Sequence, residues 1–120
     1  MKPHQNLEAW KLSFHFVKQI YNLTTTFPPE EKFGLISQLR RASVSVPTNI
    51  AEGAGRHTNK EFIHFLYIAL GSLSELDTLL LLSKELNYIH PEIDFNKLLL
   101  DLERITKLVL GLINSVKKRL

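Results

Sequence analysis

Cysteine is absent from the 120-residue sequence. Its absence excludes a disulfide scaffold, a thiolate zinc site, an iron–sulfur cluster and a thiol nucleophile, and it fits a reducing compartment. Glycine and proline are scarce, five of each, too few for an all-β or low-complexity chain. No unbroken apolar run approaches the roughly 20 residues of a bilayer span. The opening Met1-Lys2-Pro3-His4-Gln5-Asn6 has no apolar stretch of the kind a signal peptide needs. The expectation is a soluble cytoplasmic protein with no membrane contact.

What is present is apolar residue at helical spacing. Hydrophobic residues make up 44% of the chain, and at this length a single domain buries about two-thirds of its unfolded surface. Four segments carry three–four spacing. In the first, from an Asn6 cap to about Leu23, Leu7, Trp10, Phe14, Val17 and Tyr21 make one seam. The second starts at Pro28-Pro29 with Glu30 and Glu31 at its positive end, and its inner face runs through Leu35/Ile36, Leu39, Val46 and Ile50. Pro47 lies inside this pattern and removes the backbone bond to the Ser43 carbonyl, which predicts a kink. Gly53 and Gly55 then read as left-handed stops. The third opens on Thr58-Asn59-Lys60-Glu61, a capping-box pattern, and Phe62, Phe65/Leu66, Ala69, Leu73, Leu76 and Leu80 form its stripe to about Leu86. In the fourth, Phe95, Leu98, Leu102, Ile105, Val109, Leu112 and Val116 recur as far as Lys118. No run reads as a strand. Short loops between long helices predict an all-α domain over residues 1–120, an up-down-up-down antiparallel four-helix bundle.

The helices carry more apolar surface than one bundle uses. On the first, Ala9, Leu12, Phe16, Ile20 and Leu23 form a second stripe well separated from the Trp10/Phe14 seam. The third adds Ile63, Tyr67, Leu70 and Leu81, the fourth Leu99, Leu100 and Leu110. Contiguous apolar stripes mark interfaces, so Ala9, Leu12, Phe16, Ile20, Leu23, Ile63, Tyr67 and Leu70 are the expected contacts of a homo-oligomer with closed symmetry.

Sites for chemistry are few. Glu61-x-x-His64 has the spacing of half a di-iron carboxylate site, but such sites need a second copy and two further glutamates. Gly53-Ala54-Gly55-Arg56 is followed by His57-Thr58 rather than the Lys-Ser/Thr of a phosphate loop. The expectation is a protein without catalysis, metal or cofactor. The basic residues point elsewhere. Residues 1–60 hold eight Lys/Arg against four acids and residues 61–120 seven against eight, giving +4 and −1. Arg40-Arg41, the Arg56/His57/Lys60 cluster and the Lys117-Lys118-Arg119 tail are the candidate phosphate contacts, since Arg and Lys supply sequence-independent affinity. A Glu52–Arg56 salt bridge at i,i+4 is the structural alternative for part of that set.

The stretch QLRRASVSVPTNIAEGAGR at residues 38–56, followed by FIHFLYIALGSLSELDTLL from Phe62, resembles the proteins encoded in intervening sequences of bacterial 23S rRNA genes, which often carry a ribosomal-protein label. The same fold family includes the accessory variability protein of diversity-generating retroelements. Leu7-Glu8-Ala9-Trp10-Lys11, the Phe27-Pro28-Pro29-Glu30 turn and Ala69-x-Gly71-Ser72-x-x-Glu75 extend the resemblance over most of the chain. It implies a homopentameric ring that binds structured RNA or an RNA–DNA hybrid without catalysis, with a reverse transcriptase as partner in the retroelement branch. The small Gly71-Ser72 pair reads as a close helix approach or a subunit contact. Asn49 and Glu52 read as side chains able to bond backbone groups that Pro47 frees, or as ligand contacts.

Overall fold

The structure, a computed structural model, describes residues 2–120, and among them every regular element is helical. Four long helices dominate: α1 (Glu8–Thr24), α2 (Leu35–Ala54), α3 (Asn59–Glu85) and α4 (Phe95–Lys117). α1 packs on α2 and α4, and α3 packs on α2 and α4, with no diagonal pairing. The bundle is therefore square in section, 46 × 25 × 25 Å.

Contacts between neighbours run in opposite senses along the chain. On α1 and α2, Tyr21 meets Arg40 while His4 and Trp10 share a groove with Ala51. On α2 and α3, Ser72 Oγ donates to Ser45 Oγ at 2.8 Å, and Gly53 abuts Phe62 and Phe65. On α3 and α4, Lys117 Nζ donates to the Tyr67 hydroxyl at 2.7 Å while Lys84 lies over the Phe95 ring. One end thus holds the α2–α3 turn, the start of α1 and the close of α4. The other holds the remaining two connections, tied by the Tyr88 hydroxyl donating to Glu31 Oε2 at 3.0 Å. That bond to a carboxylate raises the Tyr88 pKa above the ordinary tyrosine value.

The helices begin and end for local reasons, some of which differ from the pattern expected. Asn6 does not cap α1. Residues Pro3–Asn6 make a 3₁₀ turn instead, and Leu7 is the cap, without a side-chain bond. The prolines likewise open a separate turn, Pro29–Glu31, and α2 starts six residues later at Leu35, whose N–H is accepted by Glu31 Oε1 at 3.1 Å. Thr58 caps α3 by accepting the Glu61 N–H at 3.1 Å, one half of the expected box. Asp94 caps α4 through the Lys97 N–H. α2 is continuous through Pro47. Neither Gly53 nor Gly55 takes a left-handed conformation, and the sole positive φ among described residues is Asn87 at 62°.

Gly53 has a different task. A Cβ there would lie 2.9 Å from both Phe62 Cδ1 and Phe65 Cβ and 3.2 Å from the Phe62 carbonyl oxygen. The close approach expected at Gly71 is therefore at Gly53. Around Gly71 a Cβ meets nothing within 4 Å. Two opposite outcomes follow. Gly53→Ala is expected to lose about 1–3 kcal/mol through overpacking, and Gly71→Ala to gain up to about 1 kcal/mol of helix propensity. Urea unfolding of the two variants checks both signs.

The core corrects the assignment of α1. Ala9, Phe16, Ile20 and Leu23 are buried inside the single chain, Ile20 fully, and Leu12 is half-buried beside them. These residues are not available to a second copy. The stripe expected to face inward is the outer one, with Phe14 53% and Tyr21 41% exposed. The buried stripe also runs through Ser13 and Thr24, whose hydroxyls donate to the Trp10 and Ile20 carbonyls at 3.0 and 2.9 Å. Backbone bonding of this kind lets a polar residue enter the core at little cost, and it hides the stripe from a count of apolar residues. Ser43 and Ser83 are buried in the same way, donating to Arg40 and Leu79 carbonyls. On α4 the expected seam is buried, with Ile113 added and Leu112 at its edge.

α3 is 27 residues long and apolar enough, by length and composition alone, to cross a membrane. In the bundle its Leu66–Ala69–Leu73–Leu76–Leu80 stripe is spent on the core, and Tyr67, Ile68, Leu81, Leu82 and Leu86 stay exposed.

Candidate nucleic-acid interface

The antiparallel order redistributes charge. Divided at the helix midpoints, the end comprising residues 1–15, 45–72 and 107–120 holds eight Lys/Arg against Glu8, Glu52 and Glu61, a net +5. The opposite end, residues 16–44 and 73–106, holds seven Lys/Arg against nine acids, a net −2. The two ends differ by seven charges, where the two halves of the sequence differ by five.

The basic end brings together two of the three candidate clusters. Arg56 and His57 sit on the α2–α3 turn and Lys60 in the first turn of α3, all exposed. Lys117, Lys118 and Arg119 close α4. The Tyr67–Lys117 bond sets the register of α3 and α4 on this surface, so Lys118 and Arg119 continue toward the first turn of α3, where Lys60 stands. Lys2 and His4 enter from the start of α1. Arg56 and His57 follow the negative end of the α2 dipole and Lys117, Lys118 and Arg119 that of α4, a favourable placement, whereas Lys60 stands at the positive end of α3.

The side chains differ in how far they are already engaged. Arg56 Nη2 is 3.0 Å from Glu52 Oε1, and its guanidinium lies over the Phe65 ring at 4.9 Å. Both partners of that pair are about half exposed, so it is worth at most about 1 kcal/mol, and phosphate can compete for the arginine. Among described residues, Lys60, Lys118 and Arg119 form no ion pair. Lys117 is held by the Tyr67 hydroxyl and lies over its ring at 5.3 Å.

The third cluster stands apart. Arg41 lies thirteen residues before the last residue of α2, Ala54, about 20 Å at 1.5 Å per residue, and Arg56 stands beyond that end. Arg40 is a structural clamp: its Nε donates to Thr24 Oγ1 at 2.9 Å, its Nη2 to the Tyr21 carbonyl at 3.4 Å, and its guanidinium lies over the Tyr21 ring at 4.5 Å. It joins α1 to α2 and does not belong to the basic end. Arg41 remains exposed beside Ser45 and Ser72. Asn49 and Glu52 do not take the carbonyl that Pro47 releases. Asn49 Nδ2 donates to the Ser45 carbonyl at 2.8 Å and Ser45 Oγ at 3.0 Å, and Glu52 pairs with Arg56.

Two concave surfaces flank α1. A groove of about 660 Å³ between α1 and α2 is lined by Trp10, Phe14, Val17, Tyr21, Val44 and Pro47. A cleft of about 500 Å³ between α1 and α4 carries His15, Lys18, Gln19 and Arg104 beside the Lys97–Asp101 pair. Among the described residues no group of three or more His, Asp or Glu is placed to hold a metal ion. Glu61 and His64 are exposed on α3 with no carboxylate or imidazole cluster around them.

A sequence model of the 23S rRNA-intervening sequence proteins matches residues 5–111. The chain belongs to the 23S rRNA-intervening sequence protein family. The match spans the whole of α1, α2 and α3 and most of α4, so it includes the α2–α3 turn with Arg56, His57 and Lys60 and stops before the Lys117–Arg119 tail. No curated protein matches the chain. Among solved structures, a protein of unknown function from the S23 ribosomal protein family of Bacteroides thetaiotaomicron is similar at 29% identity and a TM-score of 0.79, over 88% of this chain and 95% of that one. Neither family description names a catalytic activity. The bundle is thus that of an intervening-sequence protein, and its uneven ends are the feature on which a function can be built.

Proposed function

We propose that this intervening-sequence protein is a non-catalytic, homo-oligomeric nucleic-acid-binding protein of the cytoplasm that holds structured RNA, or an RNA–DNA duplex, against the basic end of its bundle. One observation carries the reading: the fold collects a net +5 at one end of a chain whose total is only +3. Lys60, Lys118 and Arg119 supply cations with no ion-pair partner among the described residues, Arg56 and Lys117 cations in weak exposed contacts, and His57 a further donor. Such a surface recognises phosphates rather than bases. A ring of copies, five by the family resemblance, presents the same end repeatedly, and repeated weak sites on one scaffold gain avidity. The family's association with a 23S rRNA intervening sequence supports RNA as the polyanion.

The test is fluorescence anisotropy with a labelled RNA hairpin across a salt series. About three phosphate contacts per chain give a slope near −2.7 in log affinity against log salt, and thus about a 40-fold loss between 50 and 200 mM. Absence of binding at 50 mM salt overturns the reading. In that case a protein partner such as a reverse transcriptase, captured without any RNA affinity, becomes the better account.

A further inference from the structure

Between α1 and α4 the bundle opens into a cleft of about 500 Å³, a size that takes a small molecule. Its floor is apolar: Phe16 and Ile105 are buried core residues, and Leu12 beside them is half-buried. Its walls are polar. Gln19 Nε2 donates to Asp101 Oδ2 at 3.4 Å, which sets the two antiparallel helices level at that point. One turn away, toward the start of α1, His15 therefore stands opposite Arg104. Lys18 and Asn22 follow His15 along the same wall.

The cleft is cationic although it lies in the acidic half of the bundle. That half holds seven Lys/Arg and nine acids. The cleft takes Lys18, Lys97 and Arg104 from the first set and only Asp101 from the second. Asp101 is already engaged, by Lys97 Nζ at 2.9 Å as well as by Gln19. Lys97 and Lys107 each pair with an acid four residues away, the usual way a helix neutralises an exposed cation. Lys18 has Phe14 and Asn22 at that spacing, and Arg104 has Leu100 and Leu108. Among described residues neither forms an ion pair. Two uncompensated cations and an imidazole thus border a cleft with an apolar floor, where low-dielectric walls concentrate their field.

Such a cleft selects a small anion over a long one. Past Asn22 the surface leads to Asp94 at the opening of α4, and the half of the bundle around it repels a polyanion. A ligand no larger than the cleft meets the cations alone. Arg104 offers a planar fork of donors that matches phosphate oxygens, and Lys18 a point charge. Lys97 is held only by an exposed pair, which a second phosphate can outbid. The apolar floor suits a flat ring, and the Gln19 and Asn22 amides carry both donors and acceptors for its edge. We propose that the α1–α4 cleft binds a nucleoside diphosphate, with the phosphates among His15, Lys18 and Arg104 and the base over the Phe16/Ile105 floor. This site is separate from the basic end, and the inference does not depend on the RNA reading.

Calorimetric titration and amide NMR with ADP, GDP and UDP test it, with pyrophosphate as the probe that lacks a base. At least one nucleotide is expected to bind with a Kd below about 1 mM. It is expected to shift the amides of His15, Gln19, Asn22 and Arg104 and to leave those of Lys60 and Lys118 in place. Lys18→Gln and Arg104→Gln are each expected to weaken binding about tenfold. Asp101→Asn removes the one acid of the cleft and is expected to tighten binding several-fold, a direction that damage to the fold does not produce. Failure of all three nucleotides to bind overturns the proposal. So do pyrophosphate binding as tight as that of the best nucleotide, shifts centred on the basic end, and an Asp101→Asn variant that binds no more tightly than wild type. None of these substitutions alters Lys60, Lys118 or Arg119, so RNA affinity is read separately.

Discussion

Phe16→Ala is expected to remove about 3–5 kcal/mol of folding stability, and Phe14→Ala, two residues earlier, less than about 1 kcal/mol when measured in dilute protein. The residue type and the helix are the same. What differs is exposure, 3% at Phe16 against 53% at Phe14. Truncating Phe16 leaves a void among Ile20, Leu23 and the facing helices, where packing cannot collapse fully, whereas truncating Phe14 removes an exposed ring stacked on Trp10 at 4.9 Å. A small domain has only about 5–15 kcal/mol in total, so the first change alone brings the chain near its unfolding threshold. Urea midpoints of the two variants decide the matter, and equal losses would show that α1 is assigned to the wrong face.

The second large effect is on binding. Lys60→Glu/Lys118→Glu/Arg119→Glu changes six charges and turns the +5 end to −1. Each lost phosphate contact lowers the salt slope by about 1, so the slope is expected to fall toward zero and affinity for an RNA hairpin at low salt to drop on the order of 100-fold or more. The three positions are exposed and form no ion pair among the described residues, so the helical content and melting of the variant are expected to stay close to wild type. Arg56 is left in place because its reversal would set a carboxylate beside Glu52.

How much of this was legible in the sequence differs from helix to helix. On α4 the seam through Leu98, Leu102, Ile105, Val109 and Val116 could be read directly, with Ile113 rather than Leu112 completing it. On α3 the Leu66–Leu80 stripe was equally clear. α1 carries two stripes of similar strength, and periodicity cannot rank them. The Trp10/Phe14 stripe satisfies the spacing, yet the buried one passes through Ser13 and Thr24, residues whose burial depends on bonds to their own backbone. Gly53 was legible as special but for the wrong reason. A turn and a close approach both select glycine, and only the position of Phe62 and Phe65 across the α2–α3 turn tells them apart. Arg40 and Arg41 look equivalent in sequence, and their roles separate only when Tyr21 and Thr24 come into reach of one guanidinium.

The charge pattern shows the same dependence on topology. Counting along the chain gives +4 and −1 for its halves, a mild asymmetry that places Arg40 and Arg41 with Arg56. Counting along the bundle axis gives +5 and −2, because antiparallel packing returns the tail of α4 to the start of α3 and sends Glu30, Glu31, Glu85, Glu92 and Asp94 to the far end. On the proposed reading, a chain with a net charge of only +3 would offer a polyanion one attractive end and one repulsive end.

The most direct measurement compares two triple variants of identical formal charge on one RNA hairpin. Lys60→Glu/Lys118→Glu/Arg119→Glu reverses the basic end, and Lys18→Glu/Lys32→Glu/Lys84→Glu reverses three exposed lysines of the opposite end. Loss of affinity and of salt dependence in the first variant, with near wild-type binding in the second, is the expected result. Equal losses in both would mean that net charge alone governs binding, and would contradict a nucleic-acid surface confined to one end of the bundle.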